Sequence, residues 1–91
     1  MKLAVLSDIH GNLEAFVRSL DDITHQKIDT IVSLGDAIGY GPQPEEVLNL
    51  LEKKDILNIL GNHELAVLDK KYRDHFSPRA LRALEQTLKY L

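Results

Sequence analysis

Three short apolar runs constrain this chain most: Leu3-Ala4-Val5-Leu6, Ile31-Val32-Ser33-Leu34 and Ile56-Leu57-Asn58-Ile59-Leu60. Each ends at a polar, glycine-containing cluster, and helical periodicity fills the gaps between them. Leu13, Phe16, Val17, Leu20 and Ile23 recur at i, i+3, i+4, i+7 and i+10, which is one face of a helix. Asn12 stands where an N-cap belongs, and Glu14 falls in the positive first turn. Pro44 suits the first position of a second helix. Glu45 and Glu46 follow it, Val47, Leu50 and Leu51 make its stripe, and Lys53 and Lys54 complement its negative end. The order is strand, helix, strand, helix, strand. That alternation predicts an α/β fold: a short parallel sheet built from right-handed β-α-β-α-β units. Continuous rather than alternating apolar runs predict strands buried on both faces.

The remainder is predicted to be helical in two places. A short piece is expected around Leu65–Leu68, followed by a polar, less regular stretch over Lys70–Phe76. Ser77-Pro78 reads as a cap followed by a first-turn proline. Leu81, Leu84, Leu88 and Leu91 then mark a stripe that runs to the last residue with no stop signal. No internal repeat, low-complexity segment or linker interrupts the 91 residues, which read as a single, partial domain.

Composition narrows the function classes. Eleven Lys and Arg against fourteen Asp and Glu give a net charge of −3, which argues against generic nucleic-acid binding and against a polybasic membrane-surface protein. No apolar stretch is long enough to span a bilayer, and the N-terminus lacks the apolar region and cleavage site of a signal peptide. A cytoplasmic protein is the expectation. The absence of cysteine excludes disulfides, thiolate metal sites and a thiol nucleophile.

The chemistry is concentrated where the runs stop: Asp8-Ile9-His10-Gly11-Asn12, Gly35-Asp36 and Gly61-Asn62-His63-Glu64. Each lies just past the carboxyl end of an expected strand, the edge where open α/β sheets bind ligands. Singly, each has a plain structural reading. Asp8 can cap a helix, Gly35-Asp36 can make a turn, and Asn62 can take a left-handed conformation. Jointly they bring carboxylate, imidazole and amide oxygen to one edge, a donor mix suited to divalent transition metals.

These blocks, in this order and placement, resemble the first three signature blocks of the calcineurin-like metallophosphoesterases. Gly39-Tyr40-Gly41-Pro42, Ser77-Pro78-Arg79-Ala80 and Thr87 resemble a branch of small bacterial phosphoesterases and phosphodiesterases within that superfamily. The resemblance implies metal-dependent hydrolysis of a phosphoester by a metal-bridging hydroxide. It implies two divalent ions, manganese most favoured, with iron, zinc, nickel and cobalt as alternatives. It assigns Asp8 and His10 to the first ion, Asp36 as the bridge, and Asn62 to the second through its side-chain oxygen. His63 is similar to the family's catalytic histidine over the phosphate, and Glu64 reads as structural. Substrate contacts are expected from Asn62, His63 and, at the rim, Tyr40.

The remaining polar residues carry quieter readings. His25 belongs near the far end of the first helix, and Arg79 and Arg82 read as a solvated face. Tyr40 reads equally as rim or loop packing. His75 reads as a residue of an irregular stretch that only a bend would bring to the site. The family pattern continues with a lone histidine and a Gly-His-X-His block that this chain lacks, so the resemblance implies an incomplete second metal site. A fragment, a non-catalytic metal- or phosphate-binding half-domain completed by a second copy or another chain, and a folded remnant without turnover all fit. The C-terminal helix is the expected surface for such a partner.

Overall fold

A computed structural model describes residues 2–91. Strand β1 (Leu3–Leu6) leads into helix α1 (Leu13–His25), β2 (Thr30–Ser33) into α2 (Pro44–Lys53), and β3 (Leu57–Asn58) into α3 (Asn62–Leu68). A 3-10 turn over Lys70–His75 and helix α4 (Pro78–Tyr90) complete the chain. The sheet is parallel in the order β1-β2-β3, with Ala4 opposite Ile31, Leu6 opposite Ser33, and Ser33 opposite Asn58. This is the α/β architecture the sequence predicts.

The local signals act where the chain places them. Asn12 accepts the Ala15 N–H at 3.0 Å and starts α1. Pro44 opens α2, and Ser77 Oγ accepts the Ala80 N–H at 3.1 Å to start α4. Phe16, Leu20 and Ile23 of α1 and Val47 and Leu51 of α2 bury together against Ala4 of the sheet. Burial of each large side chain contributes about 1.5–3 kcal/mol.

The strands depart from expectation on one point. Leu3, Val5 and Leu57 are 52%, 54% and 68% exposed, so the sheet is not buried on both faces. With strand order β1-β2-β3, two crossovers of one hand put α1 and α2 on the same face. The opposite face, which pairs Leu3 with Thr30 and Val5 with Val32, is left bare.

β3 is also shorter than its apolar run. The Ile56 N–H is used at 2.9 Å by the Leu51 carbonyl, and the Asp55 N–H at 3.0 Å by Glu52. These are the paired bonds that end a helix on a left-handed residue, here Asp55 at φ 55°. Ile56 is therefore part of the α2 terminus and not of the ladder.

Helix α4 buries Ala80, Leu84 and Thr87, while Leu88 and Leu91 stay exposed, so the packed stripe is rotated from the expected leucine row. The Thr87 hydroxyl donates to the Ala83 carbonyl at 3.1 Å, which lets a polar residue occupy that stripe. Among the described residues, no helix is long and apolar enough to cross a membrane.

Candidate metal centre

The first two polar clusters are joined before any side chain is considered. Beyond the strands, the β1–α1 and β2–α2 loops continue the ladder. The Asp8 N–H bonds the Gly35 carbonyl at 3.1 Å, His10 bonds Asp36 at 2.9 Å, and Gly11 bonds Ala37 at 2.7 Å. Gly41 returns a bond to the His10 carbonyl at 2.8 Å. Following this path forces Asp8, His10, Asp36 and Tyr40 to positive φ, at 58°, 49°, 55° and 65°. A left-handed conformation costs a side-chain-bearing residue on the order of 1 kcal/mol. The other positive-φ residues with side chains, Lys27 and Asp55, follow the last residues of α1 and α2. Strain away from helix ends is thus concentrated in these two loops.

That path brings one donor atom each of Asp8, His10 and Asp36 within 4.8 Å of one another. The Ile38 carbonyl lies 2.9 Å from His10 Nδ1, and a carbonyl can only accept, so Nδ1 carries the proton. Nε2, the other ring nitrogen, faces Asp8 Oδ1 at 3.3 Å. A positive charge belongs between this nitrogen and the Asp8 carboxylate, and either a proton or a cation supplies it. The Ser7 hydroxyl donates to Asp8 Oδ2 at 2.6 Å and, with His10 nearby, holds the Asp8 carboxyl below its ordinary pKa. A carboxylate that stays ionised, an imidazole oriented by a backbone carbonyl and a second carboxylate fit a divalent cation.

The third cluster is clasped to the second. Glu64, 6% exposed, accepts backbone N–H groups from Asp36 at 2.6 Å, Gly61 at 2.7 Å and Ile38 at 3.2 Å. In return Asp36 Oδ1 accepts the His63 N–H at 2.9 Å, which leaves its second oxygen uncommitted within the clasp. Asn62 opens α3 at the same edge, and its Oδ1 accepts the Tyr72 hydroxyl at 2.8 Å.

His63 is 6% exposed and packs edge-on or tilted against the rings of His10, Tyr40 and Phe76, with centroids 4.9, 4.8 and 5.1 Å away. Its Nδ1 is buried without a partner against Gly39. A Cβ at Gly39 would overlap the imidazole, and Gly39 has φ +91°, so both space and backbone require glycine there. Burial, reinforced by the nearby His10, pushes the His63 imidazole below its ordinary pKa.

A cavity of about 330 Å³ opens over this constellation, lined by Asp8, His10, Asp36, Asn62, His63 and Tyr40 and also by His75 and Phe76. All residues singled out from the sequence as ligand or catalytic candidates therefore line one cavity. Tyr40 both borders it and packs His63 while remaining 54% exposed. His75, read from sequence as outside the site, is carried to its rim by the 3-10 turn. His25 is exposed at the end of α1, bonded to the Asp21 carbonyl at 2.8 Å, and Arg79 and Arg82 are exposed on α4.

Tyr72 and Phe76 were not legible as site residues, and Gly39 was marked only as part of the Gly39-Tyr40-Gly41-Pro42 segment. Two aromatics within an otherwise polar stretch were the only sequence signal for Tyr72 and Phe76.

A parallel sheet with carboxylate, imidazole and amide groups gathered at its carboxyl edge defines a metal-site class of α/β protein, and comparison with known proteins makes the class specific. Residues 1–90 match the calcineurin-like phosphoesterase family. The chain belongs to that family. It is 40% identical over 89 residues to an uncharacterised protein of Methanocaldococcus jannaschii, covering 98% of this chain and 37% of that one. It is 36% identical over 66 residues to serine/threonine-protein phosphatase 2 of Escherichia coli, covering 71% of this chain and 30% of that one. A solved metallophosphoesterase from Sphaerobacter thermophilus superposes over 100% of this chain and 36% of its own, with a TM-score of 0.76 at 34% identity. The chain spans about a third of the length of these relatives.

Proposed function

We propose that residues 1–91 form part of a metallophosphoesterase domain that contributes the first half of a dinuclear metal site for phosphoester hydrolysis. The observation that carries this reading is the convergence of one donor atom each from Asp8, His10 and Asp36 within 4.8 Å of one another. Asp8 and His10 would hold the first ion, Asp36 would supply a carboxylate shared with a second, and Asn62 would offer its amide oxygen to that second ion. Bound divalent ions neutralise phosphoryl oxygens and supply a hydroxide nucleophile near neutral pH.

The chain's own residues do the rest. His63, with Nδ1 enclosed against Gly39, keeps Nε2 to exchange a proton with a substrate oxygen. An approaching phosphate raises the pKa of that imidazole, which opposes the lowering caused by burial. Glu64 keeps the Asp36 and Gly61 backbones together while charge changes around them. Tyr40 borders the substrate path.

The test is calorimetric titration with Mn²⁺, together with hydrolysis of p-nitrophenyl phosphate and its diester. Mn²⁺ binding and slow, Mn²⁺-dependent turnover are expected, both lost in Asp36→Ala. Binding or turnover that persists undiminished in that variant overturns the reading.

A second reading is a metal- or phosphate-binding half-domain completed by another polypeptide, which would rest on the bare sheet face. Leu3, Val5 and Leu57 make that face apolar, and apolar sheet faces are ordinarily covered. Light scattering separates the two. Mn²⁺ binding by a monomer supports the first, and binding only in an assembled species supports the second.

A further inference from the structure

We propose that Tyr72 is a positioning residue of the metal centre, its hydroxyl aiming the Asn62 carboxamide oxygen at the second ion. The inference rests on the reading of Asn62 as a ligand. Tyr72 lies ten positions beyond Asn62 and donates its phenolic proton to Oδ1 at 2.8 Å. A carbonyl oxygen has two lone pairs, so a hydroxyl on one leaves the other for a cation. Asn62 is exposed, and an exposed carboxamide free to rotate would present oxygen or NH₂ with little preference. The hydroxyl removes that freedom. Partners of this kind, which hold a ligand without touching the metal, typically contribute tenfold to hundredfold in affinity.

The half-buried Tyr72 is itself held in place. Asp69 Oδ1 accepts the Lys71 N–H at 3.0 Å and starts the 3-10 turn. The Asp69 carbonyl accepts the Tyr72 N–H at 3.1 Å. Arg73 Nε donates to the Ala66 carbonyl at 2.7 Å, which ties the turn to α3, the helix that Asn62 opens. The Tyr72 ring stands edge-on to His75 at 5.5 Å. The turn therefore delivers a fixed donor to a residue on the first turn of the helix it is bound to.

Two measurements on the full chain test this. In metal-free protein, with EDTA present, the Asn62 side-chain amide signals are identified by their loss in Asn62→Ala and followed by ¹H–¹⁵N spectroscopy. Tyr72→Phe, which removes a single oxygen, is expected to move them to free-asparagine positions, with an unchanged far-ultraviolet circular dichroism spectrum showing that the fold is kept. Unmoved signals overturn the positioning role. In Mn²⁺ calorimetry, Tyr72→Phe is expected to lose roughly tenfold or more in affinity, with no additional loss when combined with Asn62→Ala. Wild-type affinity in Tyr72→Phe, or a loss that persists in the Asn62→Ala background, overturns it. If Asn62→Ala itself binds Mn²⁺ normally, the ligand assignment fails and the metal half of the proposal fails with it; the amide signals still report separately on whether Tyr72 holds Asn62.

Discussion

Glu64 and Asp36 lie twenty-eight residues apart, and the buried Glu64 carboxylate accepts the Asp36 backbone N–H at 2.6 Å. The same carboxylate takes the N–H groups of Gly61 and Ile38. One side chain thus fixes the separation of two loops that carry candidate ligands. Glu64→Ala leaves those backbone donors without their partner. A loss of about 2–4 kcal/mol of folding stability is expected, read from urea unfolding of the metal-free chain. Unfolding midpoints equal to wild type would show that the clasp contributes nothing.

Asp36→Asn separates the charge of this residue from its structural bond. The amide oxygen can still accept the His63 N–H, and asparagine tolerates the φ of 55° found here. Removing one of two converging carboxylates relieves repulsion in the absence of metal. The metal-free melting temperature is expected to hold or rise, while Mn²⁺ affinity falls by roughly tenfold or more. A lowered metal-free melting temperature would contradict this division of roles.

Gly39→Ala puts a methyl group where the His63 ring lies and asks alanine for φ +91°. The cost expected is about 1–3 kcal/mol. Because the ring must move, the histidine signals of His63 should shift in proton spectra of the variant. An unperturbed His63 with full stability would mean that the loop accommodates a side chain freely.

The depressed pKa of His63 has a defined sign. Burial disfavours the imidazolium in the folded chain, so between the folded and the ordinary value the unfolded chain binds more protons. Metal-free stability is therefore expected to fall as pH drops below about 6.5. His63→Gln should flatten that dependence, as measured by chemical unfolding across pH 5 to 8. A slope unchanged in the variant would assign the effect to another group.

Much of this arrangement was readable along the chain because it depends on neighbours in sequence. Asn12, Pro44 and Ser77 start helices through bonds or ring constraints that span three residues or fewer. The placement of Asp8, His10, Asp36, Asn62 and His63 at one edge follows from strand–helix alternation, because every parallel strand delivers its carboxyl end to the same side. Apolar character alone does not reveal that Ile56 closes the end of α2, with its N–H on the Leu51 carbonyl.

What the amino-acid order determined by itself was the alternation of elements, their starts, and the edge at which polar groups gather. Tertiary structure alone decided the rest: the carbonyl that orients His10, the clasp of Glu64, the room that Gly39 leaves for His63, and the hydroxyl of Tyr72 on Asn62. It also decided which face of the sheet is bare. The physical reason is range. Caps and periodicity act within a helical turn, whereas these contacts are set by how loops and helices from separate parts of the chain come to rest against one another.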